Sequence, residues 1–207
     1  MPTETFYRLP EQKRQRLLDA IRRELVRVPF SKLSVNRVIR DAEIPRGSFY
    51  QYFADREDLY RYVISDYAAF METSVKQALI DSRGDIFSAT LAGFEITVLF
   101  AKQQENMMLL ANLFSEVDFK RFFSEGCPHE RPMFVTSELL PLIDVTRLEI
   151  KSPEDISEML EILISMARFS AFELFSAADR ENEIREKLHR KIEILKRGMQ
   201  KRSGERE

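Results

Sequence analysis

Tryptophan is absent from the 207 residues, cysteine occurs once and histidine twice. Cys127 has no partner for an internal disulfide, so the fold has to stand on packing, and a reducing compartment, the cytoplasm, is expected. One cysteine with His129 and His189 is too small a set for the usual zinc or copper sites, so no metal is expected; Cys127 and His129 fall in the interruption "GCPHE". Glycine is scarce, at six, and no strand-turn-strand alternation is visible, which argues against an all-β fold. Charges break every apolar run before it reaches the ~18 residues a membrane span requires. The opening "MPTETFYRLPEQKRQRLL" lacks the basic and then apolar pattern of a signal peptide. A glycine-rich phosphate loop, His-Glu-x-x-His and Gly-x-Ser-x-Gly are all missing, so neither a catalytic residue nor a cofactor is expected. Glu95 and Glu173, on largely apolar stretches, leave three readings open: buried catalytic acids, polar anchors for a ligand, or salt-bridged groups within a dimer.

What is present reads almost entirely as helix, and the predicted class is all-α. Hydrophobic residues make up 44% of the chain, enough for a real core. After Pro10, the residues Leu17, Ile21, Leu25 and Val28 recur at helical spacing until Pro29 stops the run. Ser34 is an N-cap for a short second helix with Val35, Val38, Ile39 and Ala42 on one face. "AEIPR" makes a tight turn, "RGSFYQYF" is a third helix ending near Ala54, and Asp55 caps a long fourth one. Further on, "DIFSATLAGFEITVLFAKQQ" and "NMMLLANLFSEVDFKRFF" are helical, and "MFVTSELLPLIDVTRL" resumes the helix with a kink at Pro141. Ser152, Pro153 and Asp155 open another helix, and a last one starts near Asn182. Residues 1–60 hold 12 Lys and Arg against 9 Asp and Glu, whereas residues 61–180 hold 11 against 19. A basic start on an acidic body fits a DNA-facing end and a remainder that does other work.

The three N-terminal helices, the last two joined by a tight turn, form a helix-turn-helix pattern. Phe49 and Phe53, four apart, face inward and lock the third helix. Arg46, Gly47, Ser48, Tyr50, Gln51 and Tyr52 are left for display. Arg46 can reach guanine or a phosphate, Gln51 can read adenine, and Gly47 lets the backbone approach closely. The hydroxyls of Ser48, Tyr50 and Tyr52 suit phosphate oxygens. Ser34, Asn36 and Arg37 at the second helix and Arg56 at the fourth can clamp the DNA backbone on either side.

"FSKLSVNRVIRDAEIPRGSFYQYFADREDLY" resembles the DNA-binding segment of TetR-family transcriptional regulators. The matching positions are Ser34, Val38, Ala42, Arg46, Gly47, Ser48, Phe49, Tyr50, Tyr52, Phe53, Asp58 and Leu59, and the likeness covers roughly residues 10–60. Two positions depart from the pattern. Glu43 stands where the turn usually has glycine, and Arg56 where a phosphate-contacting lysine is common. The resemblance implies a homodimeric DNA-binding regulator, most often a repressor, released from a palindromic operator by a small molecule. The runner-up is a helical protein-protein adaptor or ligand carrier that no longer binds DNA specifically. The expected division is residues 1–54 for the helix-turn-helix and 55–207 for a ligand-binding and dimerisation part, joined by the helix from Asp55.

In that second part, the helix after Pro153 is apolar over more than one face and so is buried on more than one side. A central core helix and a four-helix bundle with a symmetry mate both satisfy the pattern, and the resemblance favours the bundle. The residues expected at that interface are Ile156, Leu160, Leu163, Leu174, Leu188, Ile192 and Leu195. Candidate ligand contacts for a mostly apolar effector are Phe94, Phe100, Met108, Phe114, Phe123, Phe134, Met166 and Phe169.

Overall fold

The computed structural model describes residues 2–113 and 138–200. Among them the secondary structure is helical with no β-strand; one isolated antiparallel bridge pairs Leu148 with Gln200. The α-helices are α1 (Glu4–Tyr7), α2 (Glu11–Arg27), α3 (Val35–Asp41), α4 (Arg46–Tyr52), α5 (Arg56–Asp81), α6 (Ile86–Ala101), α7 (Gln104–Leu113), α8 (Pro153–Ser176) and α9 (Glu181–Met199). They fall into two compact units. Of the described residues, the first takes 2–67 and 101–113, and the second 68–100 and 138–200. No helix of the described residues is long and apolar enough to cross a membrane.

In the first unit, Leu17, Ile21 and Leu25 of α2, which packs on α3, are buried together with Val38 of α3, Phe49 and Phe53, all at most 2% exposed. Each such side chain contributes about 1.5–3 kcal/mol by leaving water. Ser34 caps α3 by accepting from the Arg37 N–H. Asp55 accepts from the Asp58 N–H (2.8 Å), and the Asp58 carboxylate reaches back to the Ala54 N–H (3.2 Å). Phe53 leaves α4 in extended conformation, so the helix ends at Tyr52, two residues before the expected Ala54.

The turn between α3 and α4 keeps the left-handed geometry that glycine usually supplies. Glu43 has φ 55°, its N–H donates to Arg40 O and the next N–H, of Ile44, to Ile39 O. This is the hydrogen-bond pattern of a helix-terminating left-handed residue. A side chain there costs about 1–2 kcal/mol. The Glu43 carboxylate lies 3.2 Å from Arg16 of α2.

In the second unit, Phe87 and Phe94 of α6 pack in a core with Leu163 and Leu174 of α8 and Leu188 and Ile192 of α9. The helix α8 opens as expected: Pro153 holds the first position, and the Asp155 carboxylate accepts from the Lys151 (2.6 Å) and Ser152 (3.1 Å) N–H groups. Those two hydrogen bonds hold the Asp155 carboxyl below its ordinary value. Arg185 of α9 forks between Glu95 (2.7 Å) and Glu181 (2.6 Å), which raises its pKa, the hydrogen bond to Glu95 contributing most. Glu173 pairs with Lys187 at 2.8 Å. Both acids of the open question are thus salt-bridged within one chain.

The expected kinked helix around Pro141 is not formed by the described part of that segment. Residues Leu140–Leu142 and Val145–Arg147 are two short 3-10 turns, with Pro141 inside the first. Tight anchoring accounts for this. The Asp144 N–H donates to Gly84 O (3.0 Å), drawing the segment onto the α5–α6 turn. The remainder of "MFVTSELL", up to residue 137, lies outside the described residues, as do Cys127 and His129.

Candidate nucleic-acid interface

The third helix of the sequence reading is α4, and its Phe49 and Phe53 are fully buried. Arg46, Gly47, Tyr50 and Gln51 are exposed, and Ser48 is half-buried. Tyr50 stands out at 54% exposure with its ring edge-on to Phe49. Tyr52 is corrected by the structure: at 8% exposure its ring is buried, not displayed. It lies three residues after Phe49 and so shares the inward face.

Around α4, Asn36 is exposed while Ser34 and Arg37 are half-buried at the start of α3. Arg56 is turned inward. Its Nη2 donates to Phe30 O (2.6 Å) and Ser31 O (3.1 Å), and its guanidinium stands over the Phe30 ring at 5.5 Å. The group expected to hold a phosphate therefore braces the turn before α3.

Sequence reading missed Glu24, the one buried acidic side chain among the described residues. Its carboxylate, 2% exposed, takes a two-pronged hydrogen bond from Arg27 (2.7 and 2.8 Å), the Ser34 N–H (3.1 Å) and a longer contact from Arg37 (3.6 Å). It ties the end of α2 to the cap of α3. Burial alone would raise its pKa, but the Arg27 hydrogen bond, the Ser34 N–H and the charges of Arg27 and Arg37 together bring it below its ordinary 4.5. A carboxyl depressed in the folded state stabilises the protein above that ordinary value, and the contribution is lost as pH falls through the folded pKa. Thermal midpoints measured from pH 7 down to pH 3.5 should therefore drop more steeply below about pH 4.5 in the wild type than in Glu24→Gln. Parallel curves would refute this role.

A second group missed by sequence reading lies on α7, which packs on α2. The Asn112 side-chain amide donates to Leu25 O (2.8 Å) and Val26 O (3.0 Å), satisfying carbonyls that the end of α2 leaves free. Arg22 donates to the Asn106 side chain, and the Tyr60 hydroxyl donates to Leu113 O (3.2 Å). No local sequence signal announces these pairs, since Asn112 is 87 residues from Leu25.

The candidate ligand contacts are not gathered together. Phe94 is in the core, Phe100 is half-buried with its ring 5.6 Å from that of exposed Phe70, and Met108 is 41% exposed on α7. Met166 is half-buried, and Phe169 is 46% exposed beneath Lys191, whose Nζ lies 5.4 Å from the ring centre. Phe114, Phe123 and Phe134 lie outside the described residues. A groove of about 750 Å³ runs between α5 and α6, lined by Thr73, Ser74, Gln77, Ala78, Asp81 and Ser82 on one side and Ser88, Ala92 and Ile96 on the other. None of the candidate contacts lines it.

Four of the expected dimer residues are corrected as well. Leu163, Leu174, Leu188 and Ile192 are at most 1% exposed inside the single chain, where they hold α8 to α9. Ile156, Leu160 and Leu195 are half-buried. The outward face of α8 carries Ile162 (42% exposed), Met166 and Phe169 at helical spacing, and α9 adds Ile194 at 54%.

A helix-turn-helix with exposed Arg46, Tyr50 and Gln51, followed by a larger helical part, defines a DNA-binding regulator of the all-α class. Residues 85–199 match the tetracyclin repressor-like C-terminal domain, and residues 17–63 match the bacterial regulatory proteins of the tetR family. The chain belongs to the TetR family, as its N-terminal motif resembled, and is a non-enzymatic transcription factor. Among solved structures, a TetR family transcriptional regulator from Chloroflexus aurantiacus J-10-FL is similar at 23% identity and a TM-score of 0.45, covering 98% of this chain and 100% of that one. No curated protein matches the chain.

Proposed function

We propose that the protein is a homodimeric repressor whose two α4 helices read a palindromic operator and whose effector, a small molecule bound in the C-terminal part, releases it. In this reading residues 1–54 form the operator-reading head and residues 55–207 the effector and dimerisation part.

Gly47 carries the DNA-binding half of the reading. A methyl group built on it meets nothing within 4 Å, and its φ is not in the left-handed region. The fold gives no reason for glycine here, although glycine inside a helix costs about 0.5–1 kcal/mol relative to alanine. A surface that approaches from outside the chain, such as a DNA backbone, supplies the reason. Arg46, Tyr50 and Gln51 flank that bare patch, and Asn36 and Arg37 stand at the start of α3 to hold phosphates.

The exposed stripe Ile162, Met166 and Phe169 with Ile194 supports dimerisation through α8 and α9. Two copies of α4, held about 34–36 Å apart, read two half-sites. The grip of α7 on α2 supports a route by which an effector acts on the head, because α7 follows directly from α6 of the second unit. The open groove beside α6, whose walls are more apolar than polar, is compatible with the mostly apolar effector expected from the sequence.

The test uses opposed signs. Gly47→Ala should raise stability by about 0.5–1 kcal/mol while lowering operator affinity about tenfold, a cost of about 1.4 kcal/mol. The operator is obtained by letting the wild type select from a pool of randomised duplexes, and affinity is read by fluorescence anisotropy at two salt concentrations. If no duplex is enriched, or if Gly47→Ala binds as well as the wild type, the proposed face is wrong.

A further inference from the structure

The residues ahead of the first long helix carry no periodic pattern, yet the structure spends a fully buried phenylalanine on them. Phe6, 0% exposed in the one-turn helix α1, sets its ring 5.3 Å from Phe53 and 5.1 Å from Tyr62. Phe53 in turn lies 5.5 Å from Phe49, the inward anchor of α4. The arm thus enters the aromatic cluster that seats α4.

It also closes the end of that helix. A helix leaves its last carbonyls without partners, and they are commonly served by a left-handed residue just beyond the end. Here Phe53 departs in extended conformation (φ −128°) and its N–H serves only Phe49 O. The carbonyls of Gln51 and Tyr52 are taken by Thr3. Its N–H donates to Tyr52 O (3.0 Å), and its hydroxyl donates to Gln51 O (2.5 Å). A seven-residue helix containing glycine has little stability of its own, so its last turn depends on such outside partners.

We infer that residues 3–8 are a positioning element for α4, with Thr3 as its C-terminal cap and Phe6 as its anchor. The inference rests on the reading of α4 as the helix that enters DNA. Thr3 acts through the backbone of Gln51 and Tyr52 and touches no DNA. Tyr50 and Gln51 are displayed from the very turn that it holds. Loss of the cap lets that turn fray, which blurs base and phosphate registration but leaves the attraction of basic groups for DNA in place.

Thr3→Pro removes the cap. Thr3 has φ −74°, close to the value proline imposes, so the backbone of residue 3 accepts the ring; both donors are lost, and the ring, standing where the N–H met Tyr52 O, displaces that carbonyl as well. Thr3→Ser keeps both donors and is the rescue control. Two quantities are read: the affinity ratio between the duplex selected by the wild type and a scrambled duplex, and the exchange rates of the Tyr50–Phe53 amides in DNA-free protein. The expected result is an about tenfold lower ratio for Thr3→Pro, an unchanged slope of affinity against salt, and faster exchange at Tyr50–Phe53 but not in α2. Thr3→Ser should match the wild type within about twofold. The inference is overturned if Thr3→Pro keeps the wild-type ratio, or if both duplexes weaken equally as the thermal midpoint falls. Should the wild type select no duplex, the operator reading fails instead, and the exchange rates alone decide whether Thr3 caps α4.

Discussion

The double variant Ile162→Glu, Phe169→Glu is expected to sediment as a monomer, and the wild type as the dimer proposed above. Its operator affinity should fall by about two to three orders of magnitude, the usual contribution of linking two binding modules. The reason lies in which face of α8 is already occupied. Leu163 and Leu174 are spent inside the chain, while Ile162 (42%) and Phe169 (46%) stay exposed on the opposite side with Met166 half-buried between them. A glutamate at an exposed site leaves the stability of the isolated chain within about 0.5 kcal/mol. Against a second copy it places four carboxylates in one apolar seam; those at 169 lie near Lys191, but those at 162 have no such cation among the described residues, and an unpaired charge buried there costs several kcal/mol. Binding to a single half-site should survive weakly, with a smaller salt dependence. Analytical ultracentrifugation decides the matter, since a dimer that persists in the double variant places the interface elsewhere.

Gly84→Ala is expected to be among the most damaging single substitutions in the second unit, at about 3 kcal/mol or more. Gly84 has φ +81°, and a side chain in that region alone costs about 1–2 kcal/mol. The added methyl would sit 2.4 Å from Asp144 N and 2.7 Å from Leu142 O. Both are backbone atoms, and the Asp144 N–H is already hydrogen-bonded to Gly84 O, so neither can step aside cheaply. For a chain of this size the thermal midpoint should fall by about 6–12 °C. Retention of the wild-type midpoint would mean that the 3-10 turns at 140–147 do not hold the α5–α6 turn in solution.

The parts of the fold legible in the sequence were those governed by residues within one helical turn of each other. The caps at Ser34, Asp55 and Ser152 and the inward pair Phe49 and Phe53 all follow from spacing. Tyr52 obeyed the same rule, three residues after Phe49, but its hydroxyl drew the reading toward display. Arg56 kept the charge of the motif while its guanidinium went to the carbonyls of Phe30 and Ser31, a choice that only the fold makes. On α8 and α9 periodicity was uninformative because apolar residues occupy several faces. It cannot say that Leu188 and Ile192 meet the same chain while Ile194 meets solvent. Thr3, Phe6 and Asn112 act on partners 48, 47 and 87 residues away by the bonds and ring contacts they make, and no local pattern marks them.

The attachment of α7 to α2 bears on how such regulators can be recombined. Leu109, Leu110 and Leu113 are buried, and Asn112 closes the end of α2. A graft of the helix-turn-helix alone onto a foreign body would expose apolar surface along α2 and return the Leu25 and Val26 carbonyls to water. Chimeric regulators built from this chain therefore need residues 104–113 to travel with the head, or a host whose own equivalent helix has been fitted to α2. On the reading proposed above, the head is not exchangeable as residues 1–54 alone, because α7, although it follows α6 in the chain, packs with the head.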